Sequence, residues 1–315
     1  MPNHTRYRVI ANPAAGGGSA KGAIPRIERL LDQYQIDHEL IHTERHWHAV
    51  EAAREAAHLG YEGVVAAGGD GTVNEVINGL METKAARERV PALGVLCIGR
   101  GNDFAFGMGI PADLEAGVKT LATGYRRTID IGRVSGGLYP QGRYFGNCVG
   151  VGFDAIGTIE AAKLPRLGGF LSYLIAVLKT IFLYNQAPVS TVEYDGQSLT
   201  QASLLVSVMN GRRLGGGFLM APQGDPSDGL FDLCICQQVS WLRILGLIPH
   251  FMRGTQSTQP TVKTGQASKV VISAQEGALP AQTDGEILCI DGQRLEVELL
   301  ANQLEVICQP PGGVD

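Results

Sequence analysis

The chain has 315 residues, about 44% of them hydrophobic, and its 31 acidic and 26 basic side chains give a formal net charge of −5. This length suggests two domains, each with a buried core. The mildly acidic balance argues against a protein whose main partner is the nucleic-acid backbone.

The cysteines and the apolar segments indicate a soluble cytoplasmic protein. The six cysteines lie in apolar or strand-like stretches, none has the spacing of a zinc site, and no secretory signal pattern is present. We therefore expect free thiols in a reducing cytosol. The most apolar segment, residues 167–184, is interrupted by Ser172 and Lys179, so it is too mixed to span a bilayer.

The first part of the chain alternates strand and helix patterns. Strands are predicted at residues 7–11, 39–42, 63–67 and 93–98, and helices at 19–34, 47–59, 72–80 and 112–122. This alternation predicts a doubly wound α/β domain with a mostly parallel sheet and helices on both faces. We assign residues 1–132 to this domain.

The second part is dominated by strand patterns. Strands are predicted at residues 144–151, 189–194, 204–209, 231–236, 270–273, 286–290, 295–299 and 304–308, with helical insertions at 170–184 and 241–251. We predict an antiparallel, sandwich-like or barrel-like domain over residues 133–309 and a tail at 310–315. The last strand or the tail is free to pack back on the first domain.

The strongest site signal is the string Gly68-Gly69-Asp70-Gly71-Thr72, with Asn74 and Glu75 after it, between a buried strand and a helix. A glycine turn at the carboxyl end of a parallel strand can aim backbone N–H groups at a phosphate. An aspartate in such a turn suits a phosphate only if a metal bridges the two, which suggests a nucleotide with Mg²⁺. A plain strand-to-helix turn is the weaker alternative.

Two further glycine loops follow neighbouring strands. Residues 12–18 start with Asn12-Pro13 and contain Gly16, and they match neither a Walker A loop nor a dinucleotide-binding fingerprint. Residues 99–104 contain Arg100, whose guanidinium can hold phosphate oxygens in a fork. A simple turn, a helix cap and a solvated arginine are the alternatives for these loops.

Two acidic strings stand out in the second half. The string from Asp225 to Leu230 places carboxylates and carbonyls in a tight turn that suits a hard cation, although an ordinary acidic turn is the stronger alternative. Asp284 and Glu286 are two residues apart, so in a strand they would face the same side. Such a pair can supply a general base, and a hairpin turn with two solvated acids is the alternative.

In this order, the strings resemble those of the diacylglycerol kinase catalytic-domain family, in its bacterial soluble YegS-like branch. The resemblance runs from about residue 7 to residue 309 and is carried by residues 12–16, 68–75, 99–104, 217–229 and 284–286. The second string is shared with NAD kinases and phosphofructokinase-like enzymes, whereas the last two narrow the resemblance to lipid kinases.

The resemblance implies that an ATP site lies in the cleft between the two domains and that the acceptor is a hydroxyl on a membrane lipid. By analogy, Glu286 is the proton acceptor, with Asp284 beside it. Asp225, Asp228 and the Leu230 carbonyl resemble the family's metal site for Mg²⁺. The residues implied in nucleotide binding are Asn12, Gly16, Thr43, Gly68, Gly69, Asp70, Gly71, Thr72, Asn74, Glu75, Arg100, Gly101 and Asn102.

This chain departs from the family pattern at three positions. The family usually has proline, threonine and arginine where this chain has Cys97, Arg100 and Phe106.

The resemblance as a whole implies an ATP-dependent lipid kinase acting on diacylglycerol or a related glycerolipid. A soluble-substrate kinase related to NAD kinase and a non-catalytic nucleotide- or lipid-binding relative remain the alternatives.

The two helical insertions bear on the membrane. They carry apolar residues, Phe170, Leu171 and Trp241 among them, so one of them could line an acyl-chain groove or touch the bilayer as a peripheral contact. The alternative is that both helices cover the core of the second domain. The sequence leaves a homodimer open.

Overall fold

The computed structural model describes residues 6–86, 89–163, 169–183 and 186–310. The predicted tail beyond residue 310 lies outside these residues, and so do the side chains of Phe170 and Leu171. The chain divides into a first unit, Met1–Ile129 with Asn302–Asp315, and a second unit, Asp130–Ala301.

The first unit combines parallel strands with connecting helices. Its elements are the strands β1 (Tyr7–Ala11), β2 (His38–His42), β3 (Gly63–Gly68), β4 (Ala92–Cys97) and the end of β15 (Arg294–Ile307), the helices α1 (Ala20–Gln33), α2 (His48–His58), α3 (Asp70–Ala85), α4 (Asp103–Gly107) and α5 (Leu114–Thr123), and a 3-10 turn at Ala15–Gly17. The strands are all parallel, in the order β2-β1-β3-β4-β15. The predicted α/β architecture is confirmed.

Helices cover both faces of this sheet because both sets of alternating strand residues are apolar. Ile27 of α1 is buried in one cluster with Val9 of β1, whereas the neighbouring Ile10 is buried on the opposite side of the strand. The helices α2 and α3 pack closely on each other. A Cβ atom at Gly79 of α3 would lie 2.4 Å from the Val50 carbonyl oxygen of α2, so this approach requires glycine.

The second unit is rich in antiparallel strands, as predicted. Its elements are the strands β5 (Arg126–Gly136, beginning in the first unit), β6 (Tyr139–Phe145), β7 (Cys148–Gly152), β8 (Val189–Tyr194), β9 (Gln197–Met209), β10 (Phe231–Gln237), β11 (Val262–Ala267), β12 (Lys269–Glu276), β13 (Leu279–Thr283), β14 (Glu286–Gly292) and the start of β15, the helices α6 (Phe153–Lys163), α7 (Gly169–Leu183) and α8 (Trp241–Arg253), and a 3-10 turn at Gln256–Thr258. The pairing runs β14-β13-β7-β9-β8-β12-β15, and β10 pairs with β9 and β11.

The core of the second unit is centred on a pair of stacked aromatic rings. Phe145 and Phe231 are both fully buried, and their ring centroids lie 5.6 Å apart. A Cβ atom at Gly132 would lie 2.1 Å from the Phe145 ring, so the glycine makes room for this stack.

None of the helices in the described residues has the length and hydropathy that a membrane-spanning helix needs.

Several predicted boundaries differ from the structure. The predicted strand 144–151 is two strands, because the N–H groups of Gly146 and Asn147 donate to a side chain instead of a neighbouring strand. The predicted strands 295–299 and 304–308 form the single strand β15, which continues through Asn302 despite its positive φ of 55°. The strands β5, β11 and β13 and the helix α6 were not predicted, since polar and apolar residues alternate poorly in several of them.

Candidate active site

The predicted nucleotide loops lie at one edge of the sheet in the first unit. Because β1, β2, β3 and β4 are parallel, Asn12, Thr43, Gly69 and Gly99 all follow the carboxyl ends of strands. The strand β1 lies between β2 and β3. The chain first adds β2 on one side of β1 and then crosses over to add β3 and β4 on the other side. Such a switch point is where open α/β sheets bind ligands. We call residues 12–18, 68–72 and 99–104 the three glycine loops.

Close backbone packing explains the glycines of the second and third glycine loops. A Cβ atom at Gly99 would lie 2.3 Å from the Cα of Gly69, and one at Gly68 would lie 2.3 Å from the Thr72 hydroxyl oxygen. A side chain at Gly99 would push the third loop away from the second, and one at Gly68 would clash with Thr72 within the second loop. Gly69 also precedes the first turn of α3, whose N–H groups have no acceptor within the helix and point toward the loop.

Asn12 and Thr72 join the first glycine loop to the second. The Asn12 Nδ2 donates to the Thr72 Oγ1 at 3.0 Å, and the Asn12 Oδ1 accepts from the N–H of Ala14 at 2.9 Å. Thr72 is buried. Its hydroxyl oxygen accepts a hydrogen bond and keeps its own hydrogen for donation, so a phosphate oxygen is a suitable partner for it.

Asp70 and Arg100 tie the third glycine loop to the other two. The Asp70 Oδ1 accepts from the N–H of Phe104 at 3.0 Å, and the Arg100 Nη2 donates to the Gly16 carbonyl at 3.3 Å. A Cβ atom at Gly101 would lie 2.9 Å from the Asp70 carboxylate. The structure therefore brings these predicted residues together, with the exposed guanidinium of Arg100 at the rim.

Asn102 completes the third glycine loop through its backbone conformation. It adopts a left-handed φ of 52°, which asparagine tolerates better than most residues, and its Nδ2 donates to the Gly99 carbonyl at 3.4 Å. Thr43 is half-buried at the same sheet edge, where its N–H donates to the Ala11 carbonyl.

Asn74 and Glu75 make contacts within the scaffold. Asn74 is fully buried, and the Asn78 Nδ2 donates to its carbonyl at 2.8 Å. The Glu75 Oε2 accepts from the N–H of Ala49 at 3.1 Å, so this carboxylate satisfies the first turn of α2. The first contact lies within α3, whereas the second joins α3 to the start of α2.

In the second unit, Asp284 lies in a turn and not in a strand, so the expectation that it shares a strand face with Glu286 is wrong. Its φ is 46°, and Gly285 follows with a φ of 88° between β13 and β14. The buried Asp284 carboxylate accepts three backbone N–H groups, from Gly146 at 2.9 Å, Asn147 at 3.1 Å and Cys148 at 2.8 Å. Asp284 thus anchors the connection between β6 and β7.

Glu286 begins β14 and is half-buried, so its carboxylate is nearer to solvent than that of Asp284. The turn before it is held by Gln282, whose Oε1 accepts from the N–H of Gly285 at 2.8 Å. The Gln282 Nε2 donates at 3.0 Å to Asp154, which is also buried. A chain of hydrogen bonds therefore links Asp154 to the turn that carries Glu286.

Asp154 also lines an apolar cavity of about 60 Å³ in the second unit. The walls come from α7, α8, β9 and the start of α6, and they include Val177, Leu205, Leu247 and Phe251. Asp154 is the one charged residue among those lining it. A polar group on an otherwise apolar ligand would find its hydrogen-bond partner at this point.

The predicted metal residues lie in one exposed turn. The Asp225 Oδ1 accepts from the N–H and hydroxyl of Ser227 at 3.0 and 2.8 Å, and the Asp228 Oδ1 accepts from the N–H of Leu230 at 2.9 Å. The turn is also held by Asp130, whose Oδ2 accepts from the N–H of Gly229. Among the described residues, no three His, Cys, Asp or Glu side chains converge as a metal site.

The chemistry of this turn nevertheless fits a hard cation. Carboxylate and carbonyl oxygens are the ligands that Mg²⁺ takes, and the two predicted carboxylates are exposed. Burial raises the pKa of the nearby Asp232 carboxyl, and the negative charge of Asp228 raises it further against the opposing hydrogen bond from Gln266.

Sequence reasoning missed Asp130, Asp154 and Gln282. Asp130 stands between two isoleucines, and an acid inside such an apolar stretch is a signal of a buried, hydrogen-bonded carboxylate. Gln282 lies two residues before Asp284, just outside the string used for the prediction, and nothing local indicates its partner 128 residues away.

Comparisons with known proteins agree with this arrangement. A family model described as the diacylglycerol kinase catalytic domain matches residues 6–134, and one described as the YegS C-terminal NAD kinase beta sandwich-like domain matches residues 147–308. A diacylglycerol kinase of Bacillus subtilis (strain 168) is 31% identical over 283 residues, which cover 89% of each chain. "Probable lipid kinase YegS-like" of Enterobacter sp. (strain 638) is 32% identical, with 86% and 87% covered.

A solved structure shows the same fold. The crystal structure of a diacylglycerol kinase from Bacillus anthracis str. Sterne superposes with a TM-score of 0.74 at 24% identity, covering 98% of this chain and 99% of that one. The chain belongs to the family of diacylglycerol kinases and YegS-like lipid kinases. The predicted family and the predicted enzyme class, a lipid kinase, are thereby confirmed.

Proposed function

We propose that the protein transfers the γ-phosphoryl group of ATP to the hydroxyl of a membrane lipid, diacylglycerol or a related glycerolipid. The observation that carries the proposal is the cluster of three glycine loops at the switch point of a parallel sheet. The Asn12–Thr72 and Arg100–Gly16 hydrogen bonds hold these loops together. Backbone amides gathered in this way match the negative oxygens of a nucleotide phosphate.

The nucleotide would be held mainly by the first unit. The N–H groups of the second glycine loop and the first turn of α3 would bind phosphate oxygens, and Arg100 would add a fork of donors at the rim. Mg²⁺, when bound, neutralises phosphate charge during phosphoryl transfer. In the second unit, Asp225, Asp228 and the Leu230 carbonyl are the proposed ligands of a metal ion.

The acceptor lipid would be held by the second unit. The apolar cavity suits part of an acyl chain, and Asp154 at its wall suits a polar group of the glycerol backbone. As the lipid oxygen bonds to the γ-phosphorus, its proton passes to the Glu286 carboxylate. The bond between the γ-phosphorus and the bridging oxygen breaks, and ADP leaves. That the glycine loops and Glu286 serve one active site stays a prediction.

A phosphorylation assay tests this function. Purified protein is incubated with radiolabelled ATP and Mg²⁺, in separate reactions with diacylglycerol, phosphatidylglycerol, a sphingoid base, undecaprenol and NAD. We expect a labelled lipid. Labelled NAD with no labelled lipid would instead establish a soluble-substrate kinase, and ATP binding without any product would establish a non-catalytic relative.

The Glu286→Gln variant tests the proton acceptor. Loss of a general base lowers turnover by about 10²–10⁴-fold, while ATP affinity should be unchanged. Glu276→Gln is the matched control, because Glu276 is an exposed glutamate at the end of β12 in the same unit. Turnover by Glu286→Gln near that of Glu276→Gln would remove Glu286 from this role.

Binding of Mg²⁺ at the proposed metal site can be tested by thermal melting, independently of activity. Mg²⁺ should raise the melting temperature of the second unit, because a cation relieves the repulsion between carboxylates in the 225–230 turn. Asp228→Asn should abolish that shift and leave the melting temperature without Mg²⁺ nearly unchanged. An equal Mg²⁺ shift in both proteins would place the ion elsewhere.

A lipid acceptor also bears on the remaining predictions. A kinase without a described spanning helix would meet its substrate through peripheral contact with the membrane surface. Cytoplasmic localisation stays a prediction, and a homodimer remains open.

A further inference from the structure

The helix α8 has two apolar faces, and only one of them is buried. Its inner residues Ile244, Leu247 and Phe251 are buried and line the apolar cavity. On its outer face, Trp241 is 51% exposed and Leu242 is 63% exposed. A helix that only covered a core would carry polar residues on its outer side.

Three apolar side chains of α8 are exposed to solvent. Trp241 and Leu242 lie in its first turn, and Met252, which is 40% exposed, lies near its end. Leu245, between them, is half-buried and packs against the core. Arg253 and His250 also face solvent at least in part. We call Trp241, Leu242 and Met252 the outer strip.

The stretch of sequence that contains α8 carries only positive charge. None of the 43 residues between Asp232 and Glu276 is acidic, although the whole chain has 31 acids in 315 residues. The cations in this interval are Arg243, Arg253, Lys263 and Lys269, of which Lys269 is paired with Glu296. An exposed Trp and Leu on a helix that has arginines and no acids is the pattern of a helix that lies in the interface of an anionic membrane.

A second copy of the chain is a poorer occupant of this face. A two-fold dimer brings the same patch of both copies together, so the arginines of α8, Arg243 and Arg253, would meet the equally basic helix of the other copy. An anionic headgroup layer supplies the opposite charge along the whole length of α8.

We propose that α8 is an interfacial helix. The outer strip enters the headgroup and upper acyl region of an anionic bilayer, and Arg243 and Arg253 contact lipid phosphates. The inner face of the same helix lines the apolar cavity, so α8 separates the membrane from the cavity by the thickness of one helix. That the cavity receives the acceptor lipid rests on the proposed function, whereas the membrane contact does not.

Vesicle sedimentation tests the contact. The full chain is mixed with vesicles of phosphatidylcholine, or of phosphatidylcholine with phosphatidylglycerol. Trp241→Glu with Leu242→Glu should lower partitioning at least about tenfold, since both exposed apolar side chains are lost from the interface. Leu59→Glu is the control, because Leu59 is 61% exposed at the end of α2 in the first unit. Equal partitioning of the two variants would overturn the proposal.

Replacing the two arginines of α8 provides a second test in the same vesicle experiment. Arg243→Gln with Arg253→Gln should weaken binding to the phosphatidylglycerol vesicles by roughly 25-fold, at about fivefold for each cation, and should leave binding to phosphatidylcholine unchanged. Arg29→Gln, an exposed arginine of α1, is the control. A loss that is equal on both kinds of vesicle would contradict the electrostatic contact.

Fluorescence keeps the proposal testable if a double variant fails to fold. The chain has two tryptophans, so Trp47→Phe leaves Trp241 as the only one. Brominated phosphatidylglycerol vesicles should quench and blue-shift its emission. Unquenched emission from protein that has sedimented with the vesicles would show that another surface binds.

The result can be separated from a failure of the proposed function. If the Trp241 and Leu242 variant phosphorylates lipid in detergent micelles but not in vesicles, both proposals hold. If the wild type binds vesicles through Trp241 but phosphorylates no lipid, the membrane contact stands and the function fails. If, in the absence of vesicles, sedimentation shows that the wild type is a dimer and the Trp241 and Leu242 variant is a monomer, the outer strip is a dimer interface and the proposal fails.

Discussion

Replacing Asp284 by asparagine distinguishes an anchoring carboxylate from a catalytic one. The Asp284 Oδ1 accepts from two N–H groups and the Oδ2 from a third, all in residues 146–148. Asparagine keeps one acceptor oxygen and turns its NH₂ toward the remaining N–H donor. One charge-assisted hydrogen bond is then lost and two become neutral ones.

The size of the effect follows from these bonds. A hydrogen bond to a charged group contributes about 1.5–3 kcal/mol and a neutral one about 0.5–1.5 kcal/mol, so Asp284→Asn should cost roughly 3–5 kcal/mol. For a domain of this size that is a fall of roughly 10 °C in the melting temperature of the second unit. Asn also tolerates the positive φ, so backbone strain adds little.

Hydrogen exchange and thermal melting measure this cost. The amides of residues 146–148 should lose protection in Asp284→Asn, because one of their three hydrogen bonds is lost and the other two are weakened. Asp195→Asn is the matched control: Asp195 is an exposed residue before a glycine, in the β8–β9 turn, with a φ of 45°. If Asp284→Asn melts and exchanges like Asp195→Asn while turnover collapses, Asp284 acts in the chemistry and the anchoring argument is refuted.

Three further outcomes are expected. Gly99→Ala should weaken ATP binding more than tenfold and destabilise the fold by about 1–3 kcal/mol through overpacking, as measured by calorimetry. Gly22→Ala is the control: its Cβ position has open space around it, so neither ATP affinity nor stability should fall. Cys97 is the one cysteine of the six that is not buried, so mass spectrometry should find it alkylated first by iodoacetamide, and ATP should slow that reaction; equal labelling of all six would contradict this. A hydrogen bond from Tyr61 lowers the pKa of Glu39, so its stabilisation is present above the ordinary value of 4.5 and is lost as pH falls through the lowered value. Tyr61→Phe should therefore cost about 1 kcal/mol at pH 7 and less at pH 3 in chemical denaturation, and a pH-independent cost would contradict the linkage.

The fold could be predicted where local pattern and tertiary packing agree. The apolar stretches that end in glycine turns, such as residues 63–68, are buried central strands, and the helical stripe of α1 is buried as its spacing predicts. The long strand β15 was predicted as two separate strands, 295–299 and 304–308, with Asn302 between them. In the structure, this part of the strand passes from one set of neighbours to another.

The candidate site was predictable in its residue types and less so in its contacts. The glycine loops were identified because a cluster of glycines directly after a strand has a local physical meaning. The partners of Asp284 and Glu75 lie 136–138 and 26 residues away, so no local pattern indicates them. The residue type of an acid does not distinguish a carboxylate that anchors backbone amides from one that takes a proton.

The strand β15 has a consequence for biosynthesis. Val306 pairs with Leu93, and Ile307 is buried in the core of the first unit. The ribosome synthesises residues 1–129 long before it reaches residue 306. The sheet of the first unit therefore lacks the strand that pairs with β4 while more than half of the chain is still being translated. Nascent chains arrested near residue 290 should therefore carry a protease-sensitive amino-terminal half that becomes resistant only after termination.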